Sequence, residues 1–131
     1  LNCINRKYFH KSCINHIINN TSNIYYFSHA RTALKYGLQI LNMKVGDEIL
    51  IPDFICDVVL HPLSKLGIKY KYYPLNDDLS PKWLEIENLL TSETKAILMI
   101  HYFGQAMDIK AFKLFCEKYN LLLIQHNLPK V

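Results

Sequence analysis

Apolar positions along the chain follow two alternating patterns. Ala30, Ala33, Leu34, Gly37, Leu38 and Leu41 recur at helical spacing and predict a helix over 30–41. Val45-Gly46-Asp47-Glu48 then turns the chain into Ile49-Leu50-Ile51, a short buried strand that Pro52 stops. Residues 53–66 predict a second helix, bent or divided by Pro62, and Gly67 stands where a helix end favours a left-handed residue. Residues 68–75 alternate and are rich in Tyr, a strand. Ser80-Pro81 reads as an N-cap followed by proline at the first helical position, opening a third helix through Leu90. Residues 96–100 are an all-apolar strand. Asp108 caps a fourth helix whose apolar face is Ile109, Phe112, Phe115, Cys116 and Tyr119. Leu121-Leu122-Leu123-Ile124 forms the last strand. Residues 1–27, rich in Asn, Ile and Tyr, show no clean period. They are expected to form a weakly structured segment or one helix, around 8–18, ahead of an α/β domain over 28–131.

Helices and strands in strict alternation, with strands apolar on both faces, predict the α/β class: a parallel sheet covered by helices. Ligands of such folds sit at the carboxyl ends of the strands. That directs attention to Pro52-Asp53-Phe54, His101-Tyr102-Phe103-Gly104-Gln105 and Gln125-His126-Asn127.

Composition narrows the classes. The chain has 131 residues, 50% hydrophobic and 20% charged, enough for one domain with a sizeable core. Its longest apolar runs, such as residues 96–100, fall far short of the roughly 18 residues of a membrane helix, so no membrane partner is expected. No charged-then-apolar leader opens the sequence, which argues against secretion. Residue 1 is Leu, which means either an unusual start codon or a beginning inside a longer reading frame. A formal charge of +4, spread along the chain without a nucleic-acid-binding signature, predicts no nucleic-acid partner. Cys3, Cys13, Cys56 and Cys116 stand far apart with no C-x-x-C pair. They read as reduced thiols of a cytoplasmic protein, forming neither a disulfide framework nor a metal site.

Three motifs then stand in order. They are Ser28-His29-Ala30-Arg31-Thr32-Ala33-Leu34, Val45-Gly46-Asp47-Glu48-Ile49-Leu50-Ile51-Pro52-Asp53-Phe54, and Ile100-His101-Tyr102-Phe103-Gly104-Gln105-Ala106-Met107-Asp108. Together they resemble the DegT/DnrJ/StrS family of pyridoxal-phosphate-dependent sugar aminotransferases. That family typically carries S-G-T/R-S/A-A-L, G-D-E-V-I-V-P-x-Y/F, V-H-x-Y/F-G-Q-x-x-D and I-E-D-x-A-Q at this spacing. The resemblance covers roughly residues 28–126. It implies the first part of a fold type I aminotransferase large domain, incomplete in this chain. It also implies a homodimer, or association with a homologous chain, with a nucleotide-linked keto-sugar and glutamate as substrates in glycan or surface polysaccharide synthesis.

The resemblance further implies cofactor-binding residues. Ala30, Arg31 and Thr32 match the phosphate-binding turn, where helix-terminal N–H groups suit an anion. Ala30 occupies a place the family gives to Gly. Cys56 aligns with an aromatic that stacks on the cofactor ring, and a thiol offers less stacking surface. His101 borders the active site in the family; as a lone histidine after an apolar strand it also reads as a structural residue bonded to a neighbouring loop. His126 falls where the family has the Asp that pairs with the pyridine nitrogen and keeps it protonated, and an imidazole has no negative charge to give. Pro129 replaces a family Gln. None of the lysines stands in the family's lysine motif.

Similarity fades beyond Ile124. A shifted reading frame over 127–131, which for one choice of codons restores Phe-Ala-Gln-Ser, and a plain truncation or partial gene are both open explanations. Either way the chain is expected to be inactive alone, to expose an apolar strand edge and to have poor solubility. The alternative reading is a non-catalytic fragment that associates with a homologous or complementing chain. No nucleophile or metal-ligand constellation supports an unrelated enzyme built on His101 or His126.

Overall fold

Strand and helix alternate as the hydrophobic pattern requires, and the computed structural model describes this order for residues 2–5 and 24–127. Strand β1 (Asn2–Asn5) pairs antiparallel with β2 (Ile24–Phe27), a two-stranded ribbon that the polar-rich sequence there does not announce. The helix expected over 8–18 lies outside the described residues. Then come α1 (Ala30–Ile40), β3 (Glu48–Pro52), α2 (Leu60–Leu66), β4 (Lys69–Tyr73), α3 (Trp83–Leu89), β5 (Thr94–His101), α4 (Ile109–Tyr119) and β6 (Leu122–Asn127). No helix among the described residues is long and apolar enough to cross a membrane.

The main sheet has the order β4-β3-β5-β6, and every neighbouring pair is parallel. Alternate residues divide the core into two layers. On one face Leu38 of α1 and Leu63 of α2 meet Ile49, Ile51, Leu98 and Ile100. On the other, Ile86 of α3 and Phe112, Phe115 and Cys116 of α4 meet Leu50, Tyr73, Ile97 and Met99. The link from β3 to β4 steps one way across the sheet, and those from β4 to β5 and β5 to β6 step the other. Its helix accordingly lies on the opposite face from theirs, as crossovers of uniform hand demand.

Two local expectations change. Residues 53–56 are not helical: the chain bends at Asp53 and Phe54 and is irregular at 55–56, a 3-10 turn spans Asp57–Val59, and α2 starts only at Leu60. Pro62 therefore neither bends nor divides a helix; it sits in the first turn, where its missing N–H has no intrahelical acceptor to lose. Ser80 is not an N-cap. Its N–H and hydroxyl both donate to the Asp78 carboxylate, and Pro81 bridges to Leu75, so α3 begins two residues later at Trp83. Gly67 does close α2 in the left-handed region (φ 65°), its N–H reaching the Leu63 and Ser64 carbonyls. Asp108 caps α4 by accepting from the Lys110 and Ala111 N–H groups.

The amino end of the sheet carries a buried polar knot. A register shift in the β3–β5 pairing turns Thr94 toward Glu48. Buried Glu48 then accepts from Thr94 Oγ1 at 2.7 Å and Thr91 Oγ1 at 3.3 Å, and pairs with Lys71 Nζ at 3.3 Å.

Candidate functional site

Adjacent strands β3 and β5 send their connections to opposite sides, which makes the crevice beyond their carboxyl ends the switch point where doubly wound sheets take ligands. The loop after β3 and the loop after β5 form its walls. Tyr102, buried in the second, donates its hydroxyl to the Phe54 carbonyl of the first at 2.7 Å, with the two rings 5.6 Å apart. Beneath them Tyr73 donates to the Leu98 carbonyl at 2.8 Å, and the Asp53 N–H donates to the Tyr73 carbonyl at 3.0 Å. Burial, reinforced by the Asp53 charge, holds both phenols above the ordinary tyrosine range, so they act as neutral donors. Phe103 is held in the left-handed region at φ 50°, and both Phe103 (52%) and Phe54 (54%) stand exposed at the crevice rim.

Helix α1 runs back along the sheet before residues 41–47 feed β3, so its first turn lies toward the carboxyl ends of the strands. His29 at the N-cap makes no side-chain cap, its Nδ1 lying instead 3.0 Å from Ser28 Oγ, and no acidic residue stands in the first turn. Among the described residues, no side-chain cap and no first-turn carboxylate meets the partial positive charge of the terminus. Arg31 is exposed there, and Ala30 and Thr32 are half-buried.

The structure brings some of the expected site residues together and separates one. Register sets His126 opposite Ile100, so both point to the face covered by α1 and α2. Half-buried, the His126 imidazole is pushed below the usual histidine range by burial and is uncharged at neutral pH. Cys56 is exposed just before the 3-10 turn that packs against α1. Ala30, Arg31, Thr32, Cys56 and His126 thus share one side of the sheet. His101 is one residue out of phase with Ile100 and turns the other way. Its Nδ1 accepts the Met107 N–H at 3.0 Å, which pins the β5–α4 loop and leaves the proton on Nε2 in the neutral ring. Neither Tyr102 nor Tyr73 stood out as a site residue in the sequence: Tyr102 was one of five in the segment after an apolar strand, and Tyr73 one of several tyrosines in the alternating β4.

A parallel sheet of this order, with helices on both faces and its crevice at the carboxyl ends of β3 and β5, defines a doubly wound α/β domain. The chain belongs to the DegT/DnrJ/EryC1/StrS aminotransferase family, which it matches over residues 18–126. It is 30% identical over 94 residues to the dTDP-3-amino-3,6-dideoxy-alpha-D-galactopyranose transaminase of Aneurinibacillus thermoaerophilus, covering 71% of this chain and 26% of that one. To the GDP-perosamine synthase of Vibrio cholerae it is 24% identical over 99 residues, 75% of this chain and 27% of the relative. Among solved structures, NtdA of Bacillus subtilis with bound PMP superposes with a TM-score of 0.67 at 25% identity, over 72% of this chain and 22% of that chain. The S. venezuelae DesV structure gives 0.67 at 23%, over 72% and 26%. The fold is therefore that of part of the large domain of pyridoxal-phosphate-dependent aminotransferases, and the chain spans about a quarter of the length of the curated relatives it matches.

The family is pyridoxal-phosphate-dependent. The α1 terminus, with Arg31 and Thr32, fits the phosphate of that cofactor. At residue 126, where the resemblance implies a carboxylate facing the ring nitrogen, the structure has a half-buried imidazole. Among the described lysines, those of the sheet lie on β4 and near the start of β5, and none stands in the crevice loops 53–56 and 102–107.

Proposed function

We propose that this chain forms the cofactor-cradling part of a pyridoxal-phosphate-dependent nucleotide-sugar aminotransferase. The reaction is amino transfer, with glutamate as donor, to a keto-sugar used in polysaccharide or glycan synthesis, carried out in the cytoplasm by a homodimer. The 131 residues alone bind the cofactor's phosphate and do not transaminate. The observation that carries this reading is the uncapped first turn of α1, on the same side of the sheet as Cys56 and His126.

When bound, pyridoxal phosphate supplies the electron sink that amino transfer requires. This chain's residues do the holding. The Ala30 and Arg31 N–H groups and the Arg31 guanidinium take the phosphate, and the Thr32 hydroxyl adds a donor. Cys56 fills space beside the ring. The Tyr102–Phe54 bond ties the two crevice loops together. The test is to titrate the purified chain with pyridoxamine 5'-phosphate and to assay amino transfer from glutamate to a keto nucleotide sugar. Binding without turnover is expected. Turnover would overturn the claim of inactivity, and absence of binding would overturn the cofactor reading.

A second reading is a non-catalytic fragment that associates with a homologous or complementing chain. The difference between the two edge strands favours it. Edge strand β4 carries Lys69 and Lys71, charges that discourage pairing, whereas β6 reads Leu-Leu-Ile-Gln-His-Asn with none, and Leu122 is exposed. Co-purification with a longer homologue, and activity restored by mixing, would select this reading.

A further inference from the structure

We propose that His126 meets the cofactor's ring nitrogen as a hydrogen-bond donor and so holds that nitrogen without its proton. This rests on the functional reading above and deepens it by assigning the ring's charge state.

The geometry is set by the sheet. His126 lies opposite Ile100 in the β5–β6 ladder, on the α1 and α2 face and near the carboxyl end, where the first turn of α1 also lies. Among the described residues no hydrogen-bond or ion partner is set against its imidazole, so a ring N–H is free for a ligand. Among the described residues no carboxylate acts on His126 in place of the missing one. Across the sheet at this level β5 offers Ile100, and Asp53, exposed just past the end of β3, is two strands away, about 10 Å.

A pyridine nitrogen facing a carboxylate gains a counter-charge for its proton. Facing a neutral imidazole it gains none. A pyridinium here would bring an uncompensated positive charge into a half-buried place, and the burial that pushes His126 down opposes that charge equally. The arrangement with no net charge is imidazole N–H donating to the nitrogen lone pair. A ring held this way withdraws electrons less strongly, so the chain binds cofactor in a form poorly suited to carbanion chemistry.

Pyridoxamine 5'-phosphate needs no lysine, which allows a test on the 131-residue chain. Load it with the nitrogen-15 ring-labelled compound and read the ring nitrogen by NMR. The wild-type complex is expected to show the unprotonated pyridine position. His126→Asp should move the signal to the pyridinium position and tighten binding about tenfold, the equivalent of one pKa unit. His126→Asn, which keeps an uncharged N–H donor, should leave the signal unprotonated, and it serves if the Asp variant does not fold. A pyridinium signal in the wild type or in His126→Asn, or an unchanged signal in a folded His126→Asp, overturns the proposal while leaving the phosphate cradle standing. Failure of the wild type to bind the labelled compound overturns the functional reading and this inference with it.

Discussion

At the amino end of the sheet a single carboxylate, Glu48, is buried and engaged by two threonine hydroxyls and a lysine, and Lys69 and Glu93 pair beside it at 2.8 Å. At the carboxyl end the loops are tied by one hydroxyl-to-carbonyl bond from Tyr102, two phenylalanines stand exposed, and the α1 terminus has no side-chain cap. The amino end spends its polar groups on one another and holds strands in register. The carboxyl end leaves donors free, which costs local stability and provides for a ligand.

Substitutions can break this contrast. Glu48→Ala should destabilise the fold most, by about 2–3 kcal/mol, because Thr94 and Lys71 lose their acceptor; Glu48→Gln, which keeps an oxygen toward Thr94, should cost about half as much. Urea denaturation measures both, and a loss within about 0.5 kcal/mol for Glu48→Ala would remove the distinction between the two ends. Tyr102→Phe should cost about 1 kcal/mol, the worth of its bond to the Phe54 carbonyl, and should loosen residues 53–56 in hydrogen exchange before it affects β3. Arg31→Ala should change stability by no more than about 0.5 kcal/mol yet weaken pyridoxamine 5'-phosphate binding about tenfold, measured by calorimetry.

The smallest effect is a pH slope. His126 has a lowered pKa when folded, so between that value and the ordinary 6.5 of the unfolded chain the unfolded state binds more protons. Stability is then full above pH 6.5 and falls as the pH drops below it. His126→Asn should flatten that part of the curve. A wild-type curve in which His126 adds stability on acidification would reverse the sign and undo the assignment of a neutral imidazole.

Much of the architecture was legible from spacing. The periods over 30–41, 96–100 and 109–119 placed α1, β5 and α4 to within two residues at each end, and Gly67 and Asp108 marked helix ends that depend only on local backbone chemistry. Ser80 misled because Asp78, two residues back, competes for its hydroxyl and N–H. Residues 53–56 misled because the Phe54 carbonyl is taken by Tyr102, 48 positions away, and no local pattern records that bond.

Local order and family likeness were therefore readable in the residues themselves, because periodicity, caps and turn residues act over a few positions. Which face each site residue occupies was decided only in the folded sheet. His101 is the last residue of β5 and His126 the last but one of β6, yet the parallel register sends His126 to the side of α1 and turns His101 toward Met107. Strand order and register arise from long-range pairing, and a shift of one residue exchanges the faces.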